Sequence, residues 1–232
     1  DSPGGSALAS DLMWRALTKA AKAKPVVVSM ADVAASGGYF VSGIPGVPIF
    51  ASPATITGSI GVLSGKFDAV ALYDRLGIKK EIVGKGRRAG VFSEARGFSD
   101  DELAKLESDL DVHYEHFLSR MAEGRGKAVE QIRAVAEGRV WTGRQALANG
   151  LVDAPGGLAE ALLRVRSLLG LDVLAPLAIV SPRSRHTWLP VRLEWRAAES
   201  LLPDGVARAL SLAEYFGAER ALTLLPFDIR FE

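Results

Sequence analysis

The sequence predicts an α/β fold built of crossover units, and two observations carry that prediction. Short, nearly continuous apolar runs stand at Val26-Val27-Val28-Ser29-Met30 and from Pro48 to Ala51, as strands buried on both faces require. Segments with helical periodicity separate these runs, so successive strands are joined by crossovers rather than by hairpins.

The elements follow in order. Ser6 to Lys24 reads as a helix with Leu8, Leu12, Met13, Leu17 and Ala20 on one apolar face, and Pro25 ends it. After the first strand comes a small-residue segment, Ala34 to Gly43, then the strand 48–51 and the stretch Ala54 to Val62. A helix is predicted over 67–76 and a strand over 80–83, followed by a basic, glycine-rich loop from Gly84 to Phe98. Ser99-Asp100-Asp101-Glu102 is a capping box that opens a long amphipathic helix towards Met121. Shorter helices are predicted over 127–137, 143–149 and 158–169, with Gly150 placed as a helix C-terminal cap. From about Ser181, prolines 182, 190 and 203 interrupt arginine- and tryptophan-rich sequence, and one more helix is predicted over 204–224. The expected division is a main domain over residues 1–170 and a peripheral C-terminal extension over 171–232.

Composition narrows the function. With 48% hydrophobic and 24% charged residues the chain has a globular profile, and its 232 residues are ample for a core. A net charge of +1 gives no general nucleic-acid surface. The absence of cysteine removes thiol nucleophiles, thiolate metal sites and disulfides. No apolar run approaches the ~18 residues of a spanning helix; the best, Leu168 to Val180, is interrupted by Asp172. Asp1 opens directly into a turn motif, so upstream sequence, with any anchor or leader, is expected to precede it.

Three segments are candidates for chemistry. Asp1-Ser2-Pro3-Gly4-Gly5 precedes a helix, and paired glycines let backbone amides approach a ligand. It reads as an oxyanion hole or as an ordinary Pro-Gly turn. Ala34-Ala35-Ser36-Gly37-Gly38-Tyr39 sets a serine among small residues just after a strand. That serine is either a nucleophile on a tight strand-to-helix turn or a common N-cap. The hydroxyls of Thr55, Thr57 and Ser59 in an apolar stretch either orient a catalytic group or satisfy local backbone.

It is the combination, in order, that is specific. Asp-Ser-Pro-Gly-Gly, the strand Pro-Val-Val-Val-Ser-Met, Ala-Ala-Ser-Gly-Gly-Tyr and Thr-Gly-Ser-Ile-Gly-Val resemble the signal peptide peptidase A (protease IV) family. Val140-Trp141-Thr142-Gly143 and Ala146-Leu147-Ala148-Asn149-Gly150-Leu151-Val152-Asp153 are similar to the same family's later motifs, so the resemblance runs from Asp1 to about Leu169. It implies a crotonase-like (Clp protease-like) fold of repeated β-β-α units and a serine/lysine dyad. By residue it implies Ser36 as nucleophile, Gly5 and Gly37 as oxyanion-holding amides, and Ser59 as the serine that orients the lysine. It implies no cofactor and no metal. Its partners would be hydrophobic, signal-peptide-like peptides, further copies of the chain in a ring-like oligomer, and a membrane reached through a segment absent here. The catalytic domain would then lie on the extracytoplasmic (periplasmic) side.

One position departs from the pattern. The loop that holds the lysine base in short members reads Gly84-Lys85-Gly86-Arg87-Arg88-Ala89-Gly90, with arginines where the lysine is expected. Arginine keeps its proton in proteins and cannot be the base. The preferred expectation is that the chain is the nucleophile-bearing, C-terminal half of a long-form member whose lysine lies upstream. The alternatives are Lys85 by a shift of loop register, or an inactive relative that binds peptides or partners. A crotonase-type acyl-CoA enzyme is the remaining rival, without a visible adenine-phosphate site. Gly84-x-Gly86-x-x-x-Gly90 has the wrong spacing for a dinucleotide turn, Gly61-x-x-x-Gly65-Lys66-Phe67 falls short of a phosphate loop, and His113 with His116 lacks a metalloprotease context.

Overall fold

The computed structural model of the chain describes residues 1–173, 175–176, 178–180 and 222–224. Strand β1 (Gly4–Ser6) leads into helix α1 (Ala7–Ala21), where the Ser6 hydroxyl accepts from the Ala9 amide and caps the first turn. Then come β2 (Val28–Met30), β3 (Val33–Ala35) and α2 (Gly37–Ser42), followed by β4 (Ile49–Ala51), β5 (Ile56–Gly58) and α3 (Val70–Arg75). The order β-β-α thus occurs twice. Equivalent strands of the two units pair in parallel, β2 with β4 and β3 with β5. The α/β class and its β-β-α units are as expected from the sequence.

The long helix α4 (Asp100–Arg125) opens with both halves of the capping box, Ser99 accepting from the Glu102 amide and Glu102 from the Ser99 amide. It ends at Gly126, whose φ of 59° suits glycine. Helix α5 (Val129–Arg133), strand β6 (Val140–Thr142), helix α6 (Gly143–Ala148), strand β7 (Ala154–Pro155) and helix α7 (Leu158–Leu168) complete the main body. Strand β7 extends the first sheet to the order β2-β4-β7, and β6 adds antiparallel to β5, giving β3-β5-β6.

One core cluster joins these layers. Tyr39, Phe40 and Ile44 from the α2 region meet Phe117, Leu118 and Met121 of α4, with the Phe40 and Phe117 ring centroids 4.7 Å apart. Phe117, Leu118 and Met121 are fully buried, and such burial stabilises by about 1.5–3 kcal/mol for each side chain. The helices approach so closely that a Cβ at Gly124 would lie 2.0 Å from the Gly43 carbonyl oxygen. That same oxygen accepts from the Trp14 indole at 2.7 Å.

Five expectations are corrected. Helix α1 buries Ser10 and Trp14, with Leu17 and Ala21 packed beside them, whereas Leu8, Leu12 and Met13 face outward. The helix is apolar on two sides, and the bulky indole selects the face that enters the core. Residues 80–83 form no strand: Ile82 and Val83 are exposed and no neighbouring strand pairs with them. Residues 67–69 lie outside α3, and the 127–137 helix shrinks to α5. The helix expected over 204–224 falls outside the described residues except at its end, where Leu222–Leu224 is strand β8, antiparallel to β1. Leu222–Leu224 thus runs in antiparallel register with Gly4–Ser6.

Candidate active site

Ser36 lies on the sharp turn between β3 and α2. Its φ of 52° and ψ of −114° fall outside the regions where an L-residue rests comfortably, a departure that costs about 1–3 kcal/mol and concentrates at functional sites. The conformation is held from both sides: the Ser36 amide donates to Gly58 O at 2.8 Å, and Ser36 O accepts from the Phe40 amide at 2.8 Å. Ser36 occupies the N-cap position of α2, yet its hydroxyl makes no capping bond. Its Oγ is fully buried without a hydrogen-bond partner among the described residues. The capping alternative is thereby removed, since a capping serine spends its hydroxyl on the helix.

Ser59 occupies the equivalent place on the neighbouring strand. The register Ala35↔Gly58 puts Ser36 and Ser59 each one residue past the ends of β3 and β5, strands spaced by ~4.8 Å. Ser59 is buried with a φ of 49°, and its amide donates to Arg139 O at 2.8 Å. Among the described non-glycine residues only Ser36, Ser59 and Glu137 have a positive φ. The adjacent threonines serve the backbone: Thr55 Oγ1 donates to Ala31 O and Thr57 Oγ1 to Ala34 O, both at 2.6 Å. Of the three hydroxyls in that stretch, that of Thr57 fixes β3 just ahead of Ser36 and that of Thr55 fixes the turn before it.

The remaining sequence-predicted positions divide. Gly37 begins α2 next to Ser36, and Gly5 lies in β1, where it pairs in register with Thr223. Lys85 lies exposed in an irregular loop, while Arg87 and Arg88 pair with Asp101 at 3.6 and 2.7 Å. The structure thus brings Ser36, Gly37 and Ser59 together and leaves Lys85 at the surface.

Sequence reasoning weighed Lys66 only within a segment that falls short of a phosphate loop. Its amine donates to Val91 O at 2.8 Å and lies 4.3 Å from the Phe98 ring centroid. Burial and then the charge of Arg96 lower its pKa, against the opposing carboxylates of Glu102 and Asp68. Between β4 and the end of α4, Asp153 accepts from the Ile49 amide at 2.8 Å and pairs with the buried Arg125. Burial would raise the Asp153 carboxyl, but the Arg125 guanidinium and the Ile49 amide outweigh it and hold its pKa below the usual value. His116 is engaged by Asp11 at 2.8 Å, linking α4 to α1. Among the described residues no cluster of three or more His, Cys, Asp or Glu could hold a metal ion, and no helix is long and apolar enough to cross a membrane.

Ser36 is thus a buried serine, unpartnered among the described residues, on a strained strand-to-helix turn of an α/β fold. The chain belongs to peptidase family S49, whose model matches residues 18–172. It is 39% identical over 191 residues to the serine protease SPPA, chloroplastic, of Arabidopsis thaliana, covering 82% of this chain and 28% of that protein. To protease 4 of Salmonella typhi it is 38% identical over 169 residues, covering 72% of this chain and 27% of that protein. The chain therefore spans little more than a quarter of the length of either relative. Among solved structures, the 1510-N membrane-bound stomatin-specific protease aligns at a TM-score of 0.42 and 15% identity, covering 71% of this chain and 65% of that one.

Proposed function

We propose that this chain carries the nucleophilic half of a serine endopeptidase that cleaves hydrophobic peptides such as released signal peptides, with Ser36 as the attacking residue. The observation that carries the reading is the Ser36 hydroxyl, fully buried, unpartnered, and set on a backbone with φ at 52°. Oγ attacks the peptide carbonyl carbon and its proton passes to a neutral lysine amine. The Gly5 and Gly37 amides receive the negative charge that develops on the carbonyl oxygen. Collapse expels the leaving amine, which takes the proton back from the lysine, and water then hydrolyses the acyl ester on Ser36 by the same route. Ser59 orients the lysine.

The base comes from outside these residues, from upstream sequence or a neighbouring subunit. Lys85 is the local alternative. Its exposure argues against it, because a lysine acts as base only where burial or neighbours release its proton. The native assembly is an oligomer, membrane-associated through a segment outside these residues, with the site on the extracytoplasmic side. Leu72, Leu76, Ile78, Ile82 and Val83 offer such an assembly exposed apolar surface to bury. A second reading, an inactive relative that binds peptides, is favoured by the pairing of Arg87 and Arg88 with Asp101 at the expected base position.

The test is labelling by a fluorophosphonate probe, on this chain and on a longer form carrying upstream sequence, each with Ser36→Ala. Labelling of the longer form alone, lost in Ser36→Ala, is the expected result. Labelling of the shorter chain would move the base to Lys85. No labelling of either folded protein would overturn the peptidase reading in favour of the inactive one.

A further inference from the structure

Resting on that reading, we propose that Asp1 is a positioning residue. Its carboxylate locks the turn Asp1–Gly5 in register against β3 and so sets the spacing between the Gly5 and Gly37 amides. Strand β3 is joined to β5 over three residues on one side. On its other side it meets the N-terminal segment only at the isolated parallel bridge Ser2↔Ala34. There the Ser2 amide donates to Val33 O at 2.7 Å, and the Ala35 amide donates to Ser2 O at 3.0 Å. Both bonds belong to one residue, so they leave the segment free to pivot about it. Asp1 supplies the third point, because the Val33 amide donates to its Oδ1 at 2.8 Å. With it, the Val33 amide and carbonyl and the Ala35 amide are all engaged by two consecutive residues of the turn.

Downstream of Ser2 the chain has little stiffness of its own. Gly4 adopts a φ of 122° and Gly5 a φ of 157°, and glycine enters such conformations freely. Within the turn the Gly4 amide donates to Ser2 Oγ at 3.3 Å, and Gly4–Ser6 then runs in antiparallel register with Leu222–Leu224. The Ser2 peptide therefore sets where Gly5 stands relative to β3, while β8 holds the other edge of the segment. That peptide also touches the first turn of α2, since a Cβ at Gly38 would lie 2.5 Å from Ser2 O. A rotation of Ser2 disturbs the Gly5 side and the Gly37 side together. A carboxylate suits the task, because bonds from a backbone amide to a charged acceptor are shorter and stronger than neutral ones.

Asp1 is exposed, so Asp1→Ala opens no cavity, and Asp1→Asn keeps the oxygen acceptor while removing the charge. Three measurements on the wild type and both variants test the proposal: hydrogen exchange at the Val33 amide, the amide NMR signals of Gly5 and Gly37, and the fluorophosphonate labelling rate of Ser36 in the longer form. In Asp1→Ala, Val33 should exchange about tenfold faster, the Gly5 signal should move, and labelling should fall about tenfold to a hundredfold. The melting temperature should barely change, and Asp1→Asn should restore the exchange rate, the Gly5 signal and most of the labelling. Unchanged Val33 exchange with an unmoved Gly5 signal in Asp1→Ala would overturn the proposal, as would an asparagine variant no better than alanine. If the wild type is not labelled at all, the peptidase reading fails by itself, and the Gly5 shift with its asparagine rescue still decides whether Asp1 holds the turn.

Discussion

The segment from Val28 to Ile60 and the segment from Ile78 to Phe98 are held in place by different forces. In the first, backbone fixes backbone: β2 pairs in parallel with β4 and β3 with β5, while Thr57 donates into β3 and Thr55 into the turn before it. In the second, much of the long-range tethering comes from charged side chains, through the pairs Lys80–Glu94, Arg88–Asp101 and Arg96–Glu102. The exposed pairs, Lys80–Glu94 and Arg88–Asp101, contribute little, with a median of about 0–1 kcal/mol. The turn that carries Ser36 is thus fixed by the fold. The loop where a local base would stand is a surface feature.

Glycine substitutions should expose this difference most strongly. Gly58 has a φ of 81°, and a Cβ there would lie 2.8 Å from Trp141 Cδ1 and 3.1 Å from Arg139 O. Gly58→Ala combines backbone strain with overlap and should destabilise by about 2–4 kcal/mol in chemical denaturation. Gly86, in the second segment, also has a positive φ, at 109°, but a Cβ there would meet nothing within 4 Å. Gly86→Ala should cost only about 1 kcal/mol. Equal losses would mean that the two segments are held alike.

Acid should find the buried carboxylate that anchors the second segment through Arg96. Glu102 is almost fully buried, forms two bonds to the Arg96 guanidinium and accepts from the Ser99 amide. The Arg96 bond chiefly, and then the Ser99 amide, hold its pKa down to about 2, against a usual 4.5. A depressed folded-state value means that its stabilisation is fully present above the unfolded pKa and is lost as pH falls towards 2. The melting temperature should therefore fall between pH 4.5 and 2, the two pKa values of Glu102. Glu102→Gln should lower the neutral-pH melting temperature and flatten that fall. An unchanged acid profile in the variant would remove Glu102 as its cause.

How much of this was legible in the sequence depended on whether an element is defined locally. The capping box at Ser99 and Glu102 was readable because both partners lie within one turn, and the serine turn because small residues crowd one short stretch. The strand expected over 80–83 failed because a strand requires a neighbour, which composition does not supply. The face of α1 was misread because Leu8, Leu12 and Met13 outnumber the single Trp14 that enters the core. The hydroxyl of Ser36 was legible as a residue but not as a free group. Its release from the capping role depends on a φ/ψ pair that Gly58, Phe40 and the parallel register impose from outside the motif.

Ser36→Gly tests whether the first segment stores strain for function. Glycine relieves the positive φ and removes a buried hydroxyl without a partner. The variant should gain about 1 kcal/mol of stability while losing all fluorophosphonate labelling. A loss of stability would show that the hydroxyl has a partner in solution and is not held free.

The smallest expected effect separates the two segments most cleanly. Lys85 is exposed and lies in an irregular loop, so Lys85→Ala should change stability by no more than about 0.5 kcal/mol. On the reading given above it should also leave the labelling rate of Ser36 in the longer form unchanged. A base must reach within hydrogen-bond distance of the serine proton, whereas Ser36 Oγ is enclosed without a partner among the described residues. For Lys85 to serve, the loop around it would have to move inward and lose the Arg88 pair with Asp101, which bonds through two nitrogens at 2.7 Å each. The paired variant Arg88→Ala separates the cases. If Lys85 is the base, freeing the loop should raise the labelling rate of the shorter chain, and Lys85→Ala should abolish the gain. If the base comes from elsewhere, neither change should matter, and the second segment contributes surface rather than chemistry.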